Sequence, residues 1–269
     1  MSVNASQNLA ADYSSKATAY QRCWAPVIRP MARPLLAALP LYSARQVLDL
    51  GCGTGELLQN LRAEAPRSHL HGVDRSEGML RMARATSISS LSVMDAESLA
   101  LGSETIDVAM VAFVLFHLRD PVSGLREIRR VLRPWGIVGI VVWGKCPDVP
   151  GVAIWNEELD QHGAAEDPRE QSVMQHAEMD TTEKLSGLVR LSGLVPLRVW
   201  SELFEHRWTP EVLVEMQVGC GMPGRRLATL SEPARTACRQ RAEARIRRLP
   251  SAELVFRPEA LFAKAQRSG

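Results

Sequence analysis

Three glycines in five residues, Gly51-Cys52-Gly53-Thr54-Gly55, follow an apolar segment that carries one acid, Asp49. Glycines there let the chain turn sharply and let a ligand lie against bare backbone. A helix that follows them offers unpaired N–H groups. Asp74 stands 19 residues past Gly55, at the end of a second apolar segment. A carboxylate so placed can accept hydrogen bonds from both hydroxyls of a ribose. Asp95 ends a third such segment. The chemistry these residues suit is the holding of a nucleotide-like ligand, whereas a plain tight turn does not call for three glycines. The dinucleotide fingerprint G-x-G-x-x-G fails at its last position, which holds Glu56. That departure argues against a nicotinamide-dependent oxidoreductase.

The elements that must position these residues show as short apolar runs alternating with helix-like stretches from about residue 45. Strands are expected at 46–50, 70–74, 91–95, 106–116 and 137–143, with further strands at 195–204 and 260–265. Helices are expected at 56–65, 76–85, 121–132 and 181–191, with Ser76 as an N-cap and Pro121 in a first turn. Alternation of this kind means a parallel α/β sheet with right-handed crossovers. The three acids then converge on one sheet edge, where open α/β sheets bind ligands. Residues 1–40 read as short helices interrupted by Pro26, Pro30 and Pro34. Residues 145–180 read as a loop-plus-helix insertion and 209–248 as a second, helical one.

Composition narrows the function classes. The chain has 269 residues, 46% hydrophobic and 23% charged, which is ample for a sizeable core. Its net charge is +2, from 32 basic and 30 acidic residues, so a polybasic nucleic-acid binder is not expected. The longest apolar run, Val108 to Phe116, has nine residues against the roughly 20 of a membrane span. The start, MSVNASQNLAADYSSK, lacks a basic run followed by an apolar core, so no secretory leader is expected. Five scattered cysteines without a C-x-x-C pair read as reduced thiols of a cytoplasmic protein, with no metal site.

In order along the chain, VLDLGCGTGE, HGVDRSEGML, VMDAESLAL, IDVAMVAFVLFHLRDP and LREIRRVLRPWGIV resemble the class I S-adenosylmethionine-dependent methyltransferases. The nearest flavour is the ubiquinone and menaquinone biosynthesis branch, together with natural-product methyltransferases. The resemblance is strong over residues 45–145; Gly193-Leu194-Val195 and VFRPEALFAKAQR extend it more weakly. It implies an α/β, Rossmann-like, seven-stranded, mostly parallel sheet with helices on both faces, plus helical N-terminal and inserted lid segments. One methyltransferase domain would fill residues 1–269, with 41–145 as cofactor-binding core, 1–40 as N-terminal lid, and 146–180 and 207–250 as substrate caps.

The resemblance also implies S-adenosylmethionine as cofactor and S-adenosylhomocysteine as product. Gly51, Gly53 and Gly55 would line the methionine and ribose part, and Asp49 would face the ammonium group. Asp74 would hold the ribose hydroxyls. Met79 would pack on the adenine with Arg75 beside it. Asp95 would accept from the adenine amine, and the Ala96 N–H would meet a ring nitrogen. Ala112 and Phe113 would sit near the methionine moiety, and Tyr13 or Tyr20 would close over the cofactor. His117 would border the methyl-transfer site, either as general base or as a wall histidine that only packs. Trp135 departs from the family, which has glycine in that turn.

The acceptor site would be built by 1–40, 145–180 and 207–250, with Trp24, Trp143, Trp155 and Phe113 available as apolar walls or as core. His162 and His176 either reach the acceptor or are surface histidines, and Cys52 reads as packing. Eight arginines crowd residues 225–248, but Glu232 and Glu243 interleave them and stacking aromatics are absent from the stretch. That is the pattern of a solvated helix face. Three readings remain open: a methyltransferase acting on oxygen or carbon of a small, lipophilic metabolite, one acting on RNA or protein, or a non-catalytic cofactor-binding regulator. The chain is expected to be a monomer or a homodimer.

Overall fold

The computed structural model describes residues 3–84, 90–169 and 171–269. Ala85, the expected end of the second core helix, lies outside them, as do Met1 and Ser2 of the N-terminal segment and Glu170 of the first insertion. The chain opens with four short helices, α1 (Val3–Ser15), α2 (Ala17–Cys23), α3 (Ala25–Met31) and α4 (Arg33–Ala38). Pro30 sits inside α3 rather than ending it. Then come β1 (Gln46–Leu50), α5 (Glu56–Glu64), β2 (His69–Asp74), α6 (Glu77–Arg84), β3 (Ser90–Val93), β4 (Ile106–Ala112), α7 (Pro121–Val131) and β5 (Leu132–Trp143). The first insertion carries α8 (Pro150–Gln161), and α9 (Thr182–Leu191) leads into β6 (Val195–Leu203) and β7 (His206–Arg207). The second insertion folds as α10 (Pro210–Gly219), α11 (Gly221–Ala228) and α12 (Glu232–Ile246), before β8 (Val255–Phe256) and β9 (Glu259–Gln266).

Seven strands form one sheet in the order β3-β2-β1-β4-β5-β9-β6, while β7 and β8 make a two-stranded ribbon that the sequence did not suggest. Every pairing from β3 to β5 is parallel, and β9 runs antiparallel to both β5 and β6. The chain builds β1, β2 and β3 outward, then returns to lay β4 against the other side of β1. At that reversal the loops leaving β1 and β4 part in opposite directions and leave a crevice above their carboxyl ends. β4 is buried along nearly its whole length, as strands covered on both faces are.

β4 stops at Ala112, four residues before the expected end. Phe113 turns into the left-handed region at φ +57°, and Leu115–His117 form one 3-10 turn. The apolar run continues because Phe113, Leu115 and Phe116 are buried by loop packing, so hydrophobicity alone did not mark the strand end. β3 likewise ends at Val93, and Asp95 pairs with Ser98 in an isolated bridge. β5 starts at Leu132, five residues before the expected start, with its register broken between Ile106 and Val108 of the neighbouring strand. At the break Trp135 adopts φ +66° and is exposed, taking without glycine the conformation that the turn demands.

α1 closes over the crevice edge. The Ser14 hydroxyl meets the Ser76 hydroxyl at 2.8 Å and accepts from the Gly78 N–H at 3.2 Å. Ser76 also caps α6, accepting from the Met79 N–H at 3.2 Å. A Cβ on Gly78 would lie 2.5 Å from the Ser14 carbonyl oxygen, so glycine is what permits the two helix backbones to approach. The expected lid is thus seated directly on the helix that follows β2.

Candidate functional site

The crevice at the reversal is a partly open cavity, lined mostly by apolar side chains with a few polar groups among them. Its floor is the carboxyl end of the sheet: Leu50, Gly51 and Gly53 after β1, Asp74 and Arg75 after β2, Ala96 after β3, Ala112 and Phe113 after β4. Its cover is α1 and α2, through Leu9, Tyr13 and Tyr20. Met79 and Met94 supply a soft apolar flank. The structure therefore brings Gly51, Gly53, Asp74, Arg75, Met79, Ala96, Ala112, Phe113, Tyr20 and His117 to one cavity. Asp49, Gly55 and Asp95 do not line it. Ser6, Leu9, Ala10, Met94, Val114 and Leu118 line it although the sequence does not mark them, and Ser76, expected only as an N-cap, lines it too. The lining residues of α1 sit at spacings of three and four, a helix-face signal that could have found them.

Asp74 is held from behind. Its Oδ2 accepts from the Gly53 N–H at 2.9 Å and its Oδ1 from the Ser76 N–H at 2.8 Å. Each oxygen keeps a lone pair for a ligand hydroxyl. Burial pushes its carboxyl upward, opposed by those N–H groups and by Arg75. Gly51 and Gly53 both have positive φ, and a Cβ on Gly51 would strike Val114 at 2.1 Å. Gly53 faces open space, so its backbone is bare to a ligand. Gly55, also left-handed, serves as N-cap of α5 instead.

Asp49 is 1% exposed, beneath the loop, and its Oδ2 has no hydrogen-bond partner among the described residues. Burial first, and then the neighbouring Asp74 charge, raise its pKa to about 8. A buried acid with an unused oxygen is one that a cation can complete. Asp95 is ion-paired to Arg75 and accepts from the Glu97 N–H at 3.0 Å. The two residues expected on the adenine side thus brace each other. Cys52 is buried with its thiol pKa pushed well up, which makes it packing rather than nucleophile.

His117 is partly buried, and its Nε2 is hydrogen-bonded to the Tyr13 hydroxyl at 2.9 Å. Burial, then the charges of Arg169, His176 and Arg225, hold its pKa down to about 3, with the Val173 backbone pulling the other way. The imidazole is therefore neutral and a weak proton acceptor. Burial lifts the Tyr13 phenol to about 12, so it keeps its proton. Tyr13 packs edge-on against Tyr20, with ring centroids 6.0 Å apart. His176 stacks on Phe116 at 4.7 Å, and His162 hydrogen-bonds the Glu158 carbonyl at 2.7 Å, at the end of α8.

Trp155 is 0% exposed and belongs to the core. Six of the eight crowded arginines spend their guanidinium groups within the molecule. Arg225 joins Asp12 of α1 to Asp167, and Arg241 and Arg245 converge on the buried Glu158. Among the described residues, no helix is long and apolar enough to cross a membrane.

Residues 48–140 match the family described as methyltransferase domain. The chain is 37% identical over 103 residues to a ubiquinone/menaquinone biosynthesis C-methyltransferase of Syntrophotalea carbinolica, covering 36% of this chain and 44% of that protein. It is 37% identical over 110 residues to a trans-aconitate 2-methyltransferase of an Azoarcus species, covering 40% of this chain and 43% of that one. These matches span less than half the length of either relative. Its fold is similar to that of Haemonchus contortus phosphoethanolamine N-methyltransferase 2, solved with phosphomonomethylethanolamine and S-adenosylhomocysteine. The TM-score is 0.53 at 17% identity, covering 95% of this chain and 58% of that one.

Proposed function

We propose, from the match of residues 48–140 to the methyltransferase domain family, that this protein is a class I S-adenosylmethionine-dependent methyltransferase that moves a methyl group from S-adenosylmethionine to an oxygen or carbon of a small, lipophilic acceptor. The observation that carries the reading is Asp74, pinned by two backbone N–H groups at the rim of the reversal crevice with lone pairs to spare.

The residues present fit the cofactor. Asp74 takes the ribose hydroxyls, and the bare backbone of Gly51 and Gly53 lies under the ribose and methionine part. Asp49, with its unpartnered oxygen, faces the ammonium group from below, directly or through water. Met79, Met94 and the Ala96 backbone flank the adenine, and the Arg75–Asp95 pair closes that end. Ala112 and Phe113 border the methionine end, and Gly55 acts indirectly by starting α5.

When bound, the cofactor supplies an activated methyl on a sulfonium that is already a good leaving group. The protein's share is orientation, which can contribute roughly 7–11 kcal/mol, and exclusion of water. Tyr13, Tyr20 and Leu9 seal the cavity from above. His117 holds Tyr13 in place, and the hydrogen bond between them, with a pKa lowered by burial, supports positioning over proton removal.

Residues 41–145 serve as cofactor core, while 1–40, 146–180 and 207–250 cover it, all as one unit. The names of the curated relatives support a small-molecule acceptor. The intramolecular pairing of the arginines in α11 and α12 disfavours RNA. Five unpaired cysteines suit a reducing, cytoplasmic setting. Calorimetric titration with S-adenosylmethionine, S-adenosylhomocysteine and NAD tests the reading: micromolar binding of the first two and none of NAD is expected. Absence of binding by both sulfur compounds would overturn it.

A further inference from the structure

On one side the seven-stranded sheet ends in β6, which has β9 as its one neighbour and an open outer edge. An edge strand presents unpaired N–H and C=O groups, a template for another strand. The opposite edge, β3, has four residues, whereas β6 has nine. Apolar exposure gathers at β6 as well. Four of the eight large apolar side chains exposed among the described residues, Leu191, Val195, Leu197 and Leu203, lie in this strand or just before it. That concentration marks an interaction surface, unlike the single scattered residues of an ordinary exterior.

The charges of the strand select the partner. Arg198 lies over the Trp200 ring at 4.4 Å, and Trp200 Nε1 donates to Glu202 Oε1 at 2.9 Å. Trp200 in turn stacks on Phe262 of β9, at 4.9 Å and 13°. Arg198, Trp200 and Glu202 thus stand in a row on one face, two residues apart. Neither Arg198 nor Glu202 forms an ion pair among the described residues. Across the β9 pairing Arg198 faces Lys264, a like charge, while Glu202 faces Ala260. An acid on the free side of Arg198 offsets that repulsion.

A second copy of the chain brings such an acid. Two edges related by a two-fold axis through the sheet pair antiparallel, and residues opposite each other share a face. With the axis at Trp200, Arg198 comes opposite Glu202 of the second copy, and Glu202 opposite its Arg198. The two Trp200 rings adjoin, and Leu197 is brought beside Leu203. Other registers lose this match. An axis at Val199 puts Arg198 opposite Trp200 and Glu202 opposite Pro196, and an axis at Arg198 or Glu202 sets like charges against themselves. Proline blunts an edge, but Pro196 lies beyond the matched stretch, past the irregularity between Pro196 and Arg198.

We infer that β6 is a homodimer interface, in which two copies join their β6 edges antiparallel about Trp200 and make one continuous sheet. The partner's parallel strands then run the opposite way, so the two cavities open at opposite ends of the joint sheet. No residue of β6 lines the cavity, and the inference stands apart from the methyltransferase reading.

Sedimentation equilibrium of the full chain at pH 7 tests it. The wild type should be a dimer at micromolar concentration. Arg198→Glu sets two acids on each edge and Glu202→Arg two bases, and each should weaken self-association about tenfold or more. The double variant Arg198→Glu/Glu202→Arg restores opposite charges and should dimerise as the wild type does. An equimolar mixture of the two single variants should form a mixed dimer, because each edge then meets its opposite. Circular dichroism confirms that the chains are folded. A wild type that is monomeric at micromolar concentration, or single variants that dimerise as tightly as wild type, would overturn the inference. So would a double variant and a mixture that associate no better than the single variants. Calorimetric titration with S-adenosylhomocysteine decides the methyltransferase reading separately.

Discussion

Asp74 offers the sharpest perturbation. Its two oxygens each hold one backbone N–H, at 2.9 and 2.8 Å, and each is left with a lone pair toward the cavity. If both remaining lone pairs accept ribose hydroxyls, Asp74→Ala deletes two charge-assisted hydrogen bonds of about 1.5–3 kcal/mol each. The loss of about 3–6 kcal/mol corresponds to roughly 10²–10⁴-fold weaker binding. Asp74→Asn keeps one oxygen, but its NH₂ must face one of the two N–H donors. Its loss should be near half as large in free energy, roughly 10–100-fold. Calorimetric titration with S-adenosylhomocysteine at pH 8 measures both, with circular dichroism confirming that each variant is folded. Folded Ala and Asn variants that both bind within about threefold of wild type would refute the placement of Asp74 at the ribose.

Three further outcomes are expected. The Asp49 pKa is raised to about 8 in the folded chain, so the folded state holds the extra proton between pH 4 and 8. Stability should therefore fall as pH rises through that window, and Asp49→Asn should flatten the slope of thermal midpoint against pH. His117 shifts the opposite way: its folded pKa of about 3 lies below the ordinary 6.5, so the unfolded chain takes the proton first. Its contribution is present above pH 6.5 and lost as pH falls toward 3, and the pH–rate profile with an acceptor should show no inflection near 6.5. An inflection there that His117→Asn removes would reinstate it as base. Gly78→Ala places a methyl 2.5 Å from the Ser14 carbonyl and should push α1 off α6, at a cost of about 1–3 kcal/mol. Faster tryptic cleavage after Lys16, together with a lower melting temperature, reads this out.

The cofactor core was legible because its signals are local. A glycine-rich turn after an apolar strand, and an acid at the end of the next, are consequences of neighbouring residues, and the structure puts Gly51, Gly53 and Asp74 in one cavity. What the sequence could not convey depends on contacts between distant segments. Arg75 and Asp95 are 20 positions apart, and only the parallel register of β2 and β3 brings their ends together as an ion pair. The Tyr13–His117 hydrogen bond spans 104 positions and joins the lid to a loop after β4. Strand ends were misjudged for a related reason. Residues 113–116 are as apolar as a buried strand, but they pack as a loop, and the left-handed Phe113 carries no sequence signature. The departure at Trp135 was visible, and the structure gives its form: a non-glycine residue at φ +66°, anchored where its N–H donates to the Arg267 carbonyl at 3.1 Å.

β9 has a bearing on how the protein is made. β5 and β6 never touch through their backbones; each pairs with β9, which slots between them. On the ribosome the parallel strands β1 to β5 are complete long before residues 259–266 are synthesised. Until those residues emerge, the outer rim of β5 offers unpaired N–H and C=O groups beside Val138, Ile140 and Val142, all buried in the finished fold. An open, apolar rim of this kind is a template for pairing with other nascent chains. The interval between translation of β5 and of β9 is thus the period in which this chain most needs chaperone cover, and slowing elongation there should favour aggregation over yield.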